Sequence, residues 1–278
     1  MNFYNQTNLL TYMKFALVTG ASSGIGLAFA RELASRGFNT LLVSNQQVEL
    51  ENSAKELREK YNVSAEILFI DLARQEAAQE VFKHCQKNGF EIEILINNAG
   101  IFFYKTIDNV DNTLINKILY LHVFTPTLLC KLFATDWKNS QKKGFIINIS
   151  SIAAWMKFPG ISLYGATKSY VRTFSWAIRE EFDHKQISVT TVCPGAVATD
   201  LYNLSAKYQK IGVNLGIIIP PAKLAKRAVN KMFKRKKQYI PSGLVNKSAI
   251  CATAKLPHFL IQFIKKYVDK TIQGMNNI

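Results

Sequence analysis

Residues 15–30 read FALVTGASSGIGLAFA. An apolar run from Phe15 ends at Gly20, and a second apolar run opens after Gly24 and Gly26. The first run suits a buried strand and the second a helix. Glycines between them let the backbone turn tightly and approach a pyrophosphate, which the free N–H groups and positive dipole end of the new helix would hold. Ser22, Ser23 and Ile25 complete the turn. The same pattern also suits a glycine-rich strand-to-helix turn with no ligand, but its place behind the first strand favours a dinucleotide.

The chain downstream repeats the strand-then-helix rhythm. Near-continuous apolar runs at 39–44, 65–71, 93–100, 145–151, 187–195 and 237–242 read as further strands, as expected for strands covered on both faces. Helical patterns occupy 24–36, 46–60, 74–88, 109–138, 163–183 and 221–236. This alternation predicts an α/β fold with a doubly wound parallel sheet of Rossmann type. Residues 1–243 read as a single dinucleotide-binding catalytic domain that includes a substrate loop at 200–220. Residues 244–278 read as a basic amphipathic C-terminal extension.

The net charge of +16 is uneven. From Leu201 onward there are fifteen Lys or Arg against one acid, Asp269, so the earlier residues are nearly balanced. A basic tail suits an anionic membrane surface, an acidic ligand or nucleic acid, though no nucleic-acid motif accompanies it. The four cysteines are scattered, with no paired spacing, and predict free thiols without a metal site. The opening residues are expected to carry no secretory leader, and no apolar run reaches the ~20 residues of a spanning helix. A cytoplasmic protein, with peripheral membrane contact through the tail, is the expectation.

The tip of the second strand should set the ribose preference. An acid there would bind the 2′-hydroxyl of NAD and repel a 2′-phosphate. The chain has Ser44, Asn45 and Gln46 instead, with no arginine, so NADP(H) is expected over NAD(H). Asp71, followed by Leu72, ends the third strand, where it can meet a ligand or cap the next helix.

Tyr164 and Lys168 stand four residues apart in LYGATKSY, on one face of a predicted helix. TGASSGIG, NNAG at 97–100, Ser151, YGATK and PGAVATD at 194–200 follow one another in an order that resembles the short-chain dehydrogenase/reductase family over about residues 13 to 243. Ser151 lies thirteen residues before Tyr164, as that family requires. The resemblance implies hydride transfer between a nicotinamide and a ketone or secondary alcohol. Tyr164 would be the general acid or base. A free tyrosine has a pKa of about 10, and the Lys168 ammonium should lower it. Lys168 would also hold the nicotinamide ribose, and Ser151 would stabilise the developing oxyanion. Asp71 would meet adenine, Asn97 would steady the sheet edge, and Ala99 and Gly100 would pack by the adenosine ribose. Pro194, Gly195, Val197 and Thr199 would cover the nicotinamide. Where the family has a proton-relaying asparagine, this chain has His122, which could shuttle protons or simply pack. Cys193 reads as a small buried residue rather than a redox group.

The loop 200–220 and the stretch AAWMKFPGISL are rich in apolar side chains, which implies a lipidic or steroidal substrate, or a packed lid. The tail around 256–268 has helical amphipathic spacing with Lys265, Lys266 and Lys270 on its polar face. It can lie on an anionic membrane, cap the fold or form a subunit contact. The resemblance also implies a homodimer or homotetramer through the helices at 109–138 and 163–183. The rival reading is a non-catalytic dinucleotide sensor or membrane scaffold on the same fold.

Overall fold

The computed structural model describes residues 14–199 and 206–241, together with Pro257 and Lys266. The predicted extension, Cys251, and Leu201, Tyr202 and Leu204 of the substrate loop otherwise lie outside the described residues.

Seven strands form one parallel sheet: β1 (Lys14–Thr19), β2 (Asn39–Ser44), β3 (Ala65–Phe69), β4 (Glu91–Asn97), β5 (Gly144–Ile149), β6 (Ile187–Val192) and β7 (Gln238–Tyr239). Their order is β3-β2-β1-β4-β5-β6-β7. Each strand's alternating side chains feed two separate cores, because successive Cβ atoms point to opposite faces. Ala16, Val18 and Leu42 join helices α1 (Gly24–Ala34), α2 (Gln47–Tyr61) and α8 (Pro221–Phe233). Phe15, Leu17, Leu41 and Val43 join α3 (Ala77–Lys87), α5 (Thr125–Asn139) and the far end of α6 (Ser162–Glu181). The order reverses between β1 and β4, and a crevice opens at their carboxyl ends, the usual ligand position in such sheets.

The seven strands and the doubly wound layering agree with the sequence reading. Two helical segments differ from it. The predicted helix 109–138 is a composite: α4 (Asn112–Leu119), a π turn over Tyr120–Phe124, then α5. Pro126, near the start of α5, has no N–H to offer the His122 carbonyl four residues back, and its ring crowds that carbonyl. Widening the turn relieves the clash and places His122 inside the π turn. This composite helix is long and apolar enough, on length and mean hydropathy, to span a membrane. Leu129, Phe133 and Trp137 on its α5 half are nonetheless spent on the core. The loop 200–220 contains α7 (Ala206–Asn214). Ala, Lys and Gln favour helix here, and the helix closes through Gly216, whose φ of +72° is a left-handed capping conformation.

Gly144 opens β5 against the Trp137 ring, and a Cβ there would lie 2.0 Å from the indole. Trp137 is buried, and its Nε1 donates to Ile92 O at 2.6 Å. The ring has no room to withdraw. Gly144→Ala should therefore lose roughly 1–3 kcal/mol of stability by overpacking, read as a lower urea midpoint at unchanged slope.

Candidate active site

The turn after β1 is stitched to the turn after β4. Asn98 Nδ2 donates to Thr19 O at 2.9 Å and Gly20 O at 3.3 Å, and the amides of Asn98 and Ala99 donate to Thr19 Oγ1 at 2.9 and 3.0 Å. Gly20 has a φ of +64°, and a Cβ on it would meet Ala99 Cα at 2.9 Å. A Cβ on Gly26 would lie 2.0 Å from Gly20 O. Gly26 thus serves helix-on-strand packing and does not line the crevice. Thr19 and Asn98 were missed in the sequence reading, although the second asparagine of NNAG was a visible signal.

The crevice has a volume of about 1010 Å³. Of the residues expected to form the site, Gly20, Ser22, Ser23, Gly24, Ile25, Asn45, Asp71, Leu72, Ala99, Gly100, His122, Tyr164, Lys168, Pro194, Gly195, Val197 and Thr199 line it. Gly26, Asn97 and Ser151 are not among the lining residues, although Ser151 Oγ lies against Pro194 O on the wall. Arg31, Gln46, Lys60, Lys117 and Ser150 also line it, and the sequence reading did not single them out as site residues. Ser44 Oγ donates to Ser22 Oγ at 3.0 Å, and Ser22 Oγ donates to Gln46 Oε1 at 2.6 Å. This neutral chain stands at the tip of β2, where an acid would favour NAD. Asp71 closes its own turn by accepting from Ala73 N at 2.9 Å, so it is not the cap of α3, which starts six residues later.

Across the crevice, α6 carries Tyr164 and Lys168, both nearly fully buried. The Tyr164 ring stands edge-on to Phe102 at 5.0 Å. Lys168 Nζ lies 5.7 Å from the centre of the Tyr164 ring and donates to Ile149 O at 3.0 Å. Burial pushes its pKa down from 10.5 to about 8, so the ammonium persists at neutral pH. Ser151 caps a short 3-10 turn (Ile152–Trp155): its Oγ accepts from Ala153 N at 3.1 Å and donates at only 3.5 Å to Pro194 O. So long a bond holds the hydroxyl proton weakly. Ser150, its neighbour, is committed to Lys168 O at 2.7 Å.

Behind Lys168 runs a buried polar chain. Asn97 Nδ2 donates to Asn148 Oδ1 at 2.8 Å, and Asn148 Nδ2 donates to Ser175 Oγ at 2.9 Å. Asn97 Oδ1 has no hydrogen-bond partner among the described residues, and Asn97 borders a cavity of about 20 Å³ shared with His122, Thr125 and Lys168. That is room for about one water. His122 is buried and bonded through both ring nitrogens, to Ile101 N and Thr167 Oγ1, each at 3.0 Å. Burial, then the Lys168 charge, hold its pKa well below the ordinary histidine value.

The loop 194–199 arches over the glycine turn. Thr199 Cγ2 lies 3.2 Å from where a Gly24 Cβ would stand, and Thr199 Oγ1 is buried with no hydrogen-bond partner among the described residues. Ala198 N donates to Ile219 O and Ile219 N to Ala196 O, both at 3.1 Å, pinning the base of the α7 excursion. Burial pushes the Cys193 thiol up to about 11, and Sγ accepts from Gln238 Nε2 at 3.2 Å, which leaves it protonated and inert. Among the described residues, no group of three or more His, Cys, Asp or Glu could hold a metal.

A family model described as short chain dehydrogenase matches residues 14–209. The very-long-chain 3-oxoacyl-CoA reductase of Mus musculus is 34% identical over 202 residues, 71% of this chain and 62% of that one. The putative steroid dehydrogenase 3 of Caenorhabditis elegans is 34% identical over 194 residues, 67% and 61% of the two chains. The chain spans about three fifths of the length of these curated relatives. A solved short-chain dehydrogenase from Sphingobium yanoikuyae in complex with NADPH superposes with a TM-score of 0.74 at 28% identity, over 88% of this chain and 97% of that one.

The burial of Lys168 has a measurable cost. Below about pH 8 the folded protein holds a desolvated ammonium; above the unfolded pKa of 10.5 both states are neutral and the cost vanishes. Between those values the unfolded chain binds more protons, so this group makes stability rise with pH. The stability difference between Lys168→Met and the wild type, measured by urea unfolding without cofactor, should shift in the wild type's favour by about 3 kcal/mol from pH 8 to 10.5.

Proposed function

The chain belongs to the short-chain dehydrogenase family, and we propose that it is an NADP(H)-dependent reductase of an apolar ketone. The observation that carries this reading is Tyr164 and Lys168 buried side by side on the wall of a crevice that begins at the glycine turn. The crevice suits a dinucleotide. Gly20 and Gly24 hold left-handed backbone where it must turn, and Thr199 Oγ1 is a buried polar atom with no partner among the described residues. Bound there, a nicotinamide cofactor would supply the hydride.

The chain's own residues do the rest. Tyr164 donates its hydroxyl proton to the carbonyl oxygen as negative charge develops there. Lys168, one turn on, stabilises the phenolate left behind. Ser151 gives up its long bond to Pro194 O and donates to the same oxygen. A non-catalytic sensor would have no chemical use for an ammonium buried beside a phenol, which weighs against that rival.

Several features support the finer choices. The tip of β2 offers hydroxyls and an amide in place of a carboxylate, and Lys60 lines the same crevice, together with Arg31, which is paired with Glu56; this favours a 2′-phosphate. Ile101, Phe102, Phe103, Met156 and Leu163 cluster around Tyr164, an apolar setting for a long-chain 3-oxoacyl or steroidal carbonyl. Ile211, Leu215 and Ile217 stand exposed on and beside α7, and Lys223, Lys226, Arg227 and Lys231 are exposed on α8 with no salt bridge to an acid among the described residues. That combination suits peripheral contact with an anionic membrane on the cytoplasmic side. The exposed Leu119, Phe124 and Tyr170 suit a homodimer or homotetramer contact.

A screen of 3-oxoacyl lipids and steroidal ketones with NADPH, following cofactor absorbance, tests the reading. Tyr164→Phe should lower turnover on the best substrate at least about a hundredfold; full activity in this variant would overturn the mechanism. Gln46→Asp should move the NADPH-to-NADH preference toward NADH by about tenfold or more through charge repulsion. Sedimentation with phosphatidylglycerol vesicles, lost with phosphatidylcholine alone or in high salt, checks the membrane contact.

A further inference from the structure

We infer that His122 is a positioning residue that ties the loop after β4 to the catalytic helix, with its imidazole locked as one neutral tautomer, protonated at Nδ1 and bare at Nε2. The inference rests on the reductase reading for its meaning but not for its test.

The assignment follows from the two ends of a hydrogen-bond chain. At one end the Ile101 amide points to His122 Nε2 at 3.0 Å, and a backbone amide can only donate. Nε2 must therefore present a lone pair. At the other end Thr167 Oγ1 donates to Tyr164 O at 3.0 Å, and a carbonyl can only accept. A threonine has one hydroxyl proton, and this bond uses it. The 3.0 Å contact between Thr167 Oγ1 and His122 Nδ1 must then run the other way, with Nδ1–H donating. Every proton from Ile101 to Tyr164 is assigned without reference to pH.

The ring's seat agrees. Gly100 approaches so closely that a Cβ on it would lie 2.9 Å from His122 Nε2. The π turn made necessary by Pro126 sets the ring into this slot, edge-on to Tyr164 at 5.9 Å. The titratable groups facing it are Tyr164 and Lys168 of α6, and the Lys168 charge opposes protonation. His122 thus joins the Gly100–Ile101 loop, which lines the crevice, to the carbonyl of the residue that bears the reacting phenol. A shuttle would need a free lone pair or a loose proton, and both ring nitrogens are committed. On this inference His122 acts as a structural link and not as the proton relay considered from the sequence.

The test is 15N NMR of histidine-labelled, cofactor-free protein, with His122 assigned by loss of its signals in His122→Gln. Nδ1 should resonate as protonated and Nε2 as bare, unchanged from about pH 5.5 to about pH 8.5. An Nε2-protonated ring, or a titration midpoint inside that range, would overturn the inference. Because this readout needs no substrate, it stands or fails apart from the reductase reading. In turnover, His122→Gln, which keeps a donor and an acceptor, should stay within about threefold of wild type. His122→Phe should raise the KM for NADPH about tenfold, the loss expected from ~1.4 kcal/mol, with the pH profile of kcat unmoved. An equal loss of kcat in both variants with a shifted pH profile would restore the relay and refute the link.

Discussion

Helix α1 begins so close to the end of β1 that nothing larger than hydrogen fits between Gly26 and the Gly20 carbonyl. This close approach is the constraint on which the site depends. It brings the first N–H groups of α1 to the mouth of the crevice, where an anion can meet them before water does. It also brings Asn98 within bonding distance of Thr19 and Gly20, so the turns after β1 and β4 are bonded to each other. The crevice at the reversal of strand order is shaped by that union.

The opposite wall answers with a different kind of constraint. Lys168 is buried against its own charge, anchored to Ile149 O and backed by the Asn97–Asn148–Ser175 chain. Desolvation works against an ammonium there, and the fold bears that cost in stability to keep a cation next to Tyr164. Such local opposition to stability is common where a protein does chemistry. His122 contributes by geometry: a neutral ring spanning the gap between the two walls holds their spacing without adding a second charge beside Lys168.

Much of this was legible in one dimension. The seven strands follow from mainly apolar runs bounded by turn residues, because strands covered on both faces are mostly apolar. Tyr164 and Lys168 were readable because a helix places residues four apart on one face. The π turn was not read in advance, since Pro126 only becomes a problem once its helix continues unbroken from α4. Helix α7 was hidden by the scatter of apolar residues around it, of which Ile211, Leu215 and Ile217 stand exposed rather than in the core.

The sequence by itself determined the layering of the sheet, the glycine turn and the pairing of Tyr164 with Lys168 on one helix face, because these depend on local periodicity and spacing. Only the tertiary structure decided which residues face the crevice and what state they hold. It left Gly26 and Asn97 off the wall, brought Arg31, Gln46 and Lys60 to it, and lowered the Lys168 pKa. It also committed both nitrogens of His122. Those outcomes depend on partners 21 and 45 residues away for His122 and on burial for Lys168. Neither distance through space nor exclusion of water is written in the order of the residues.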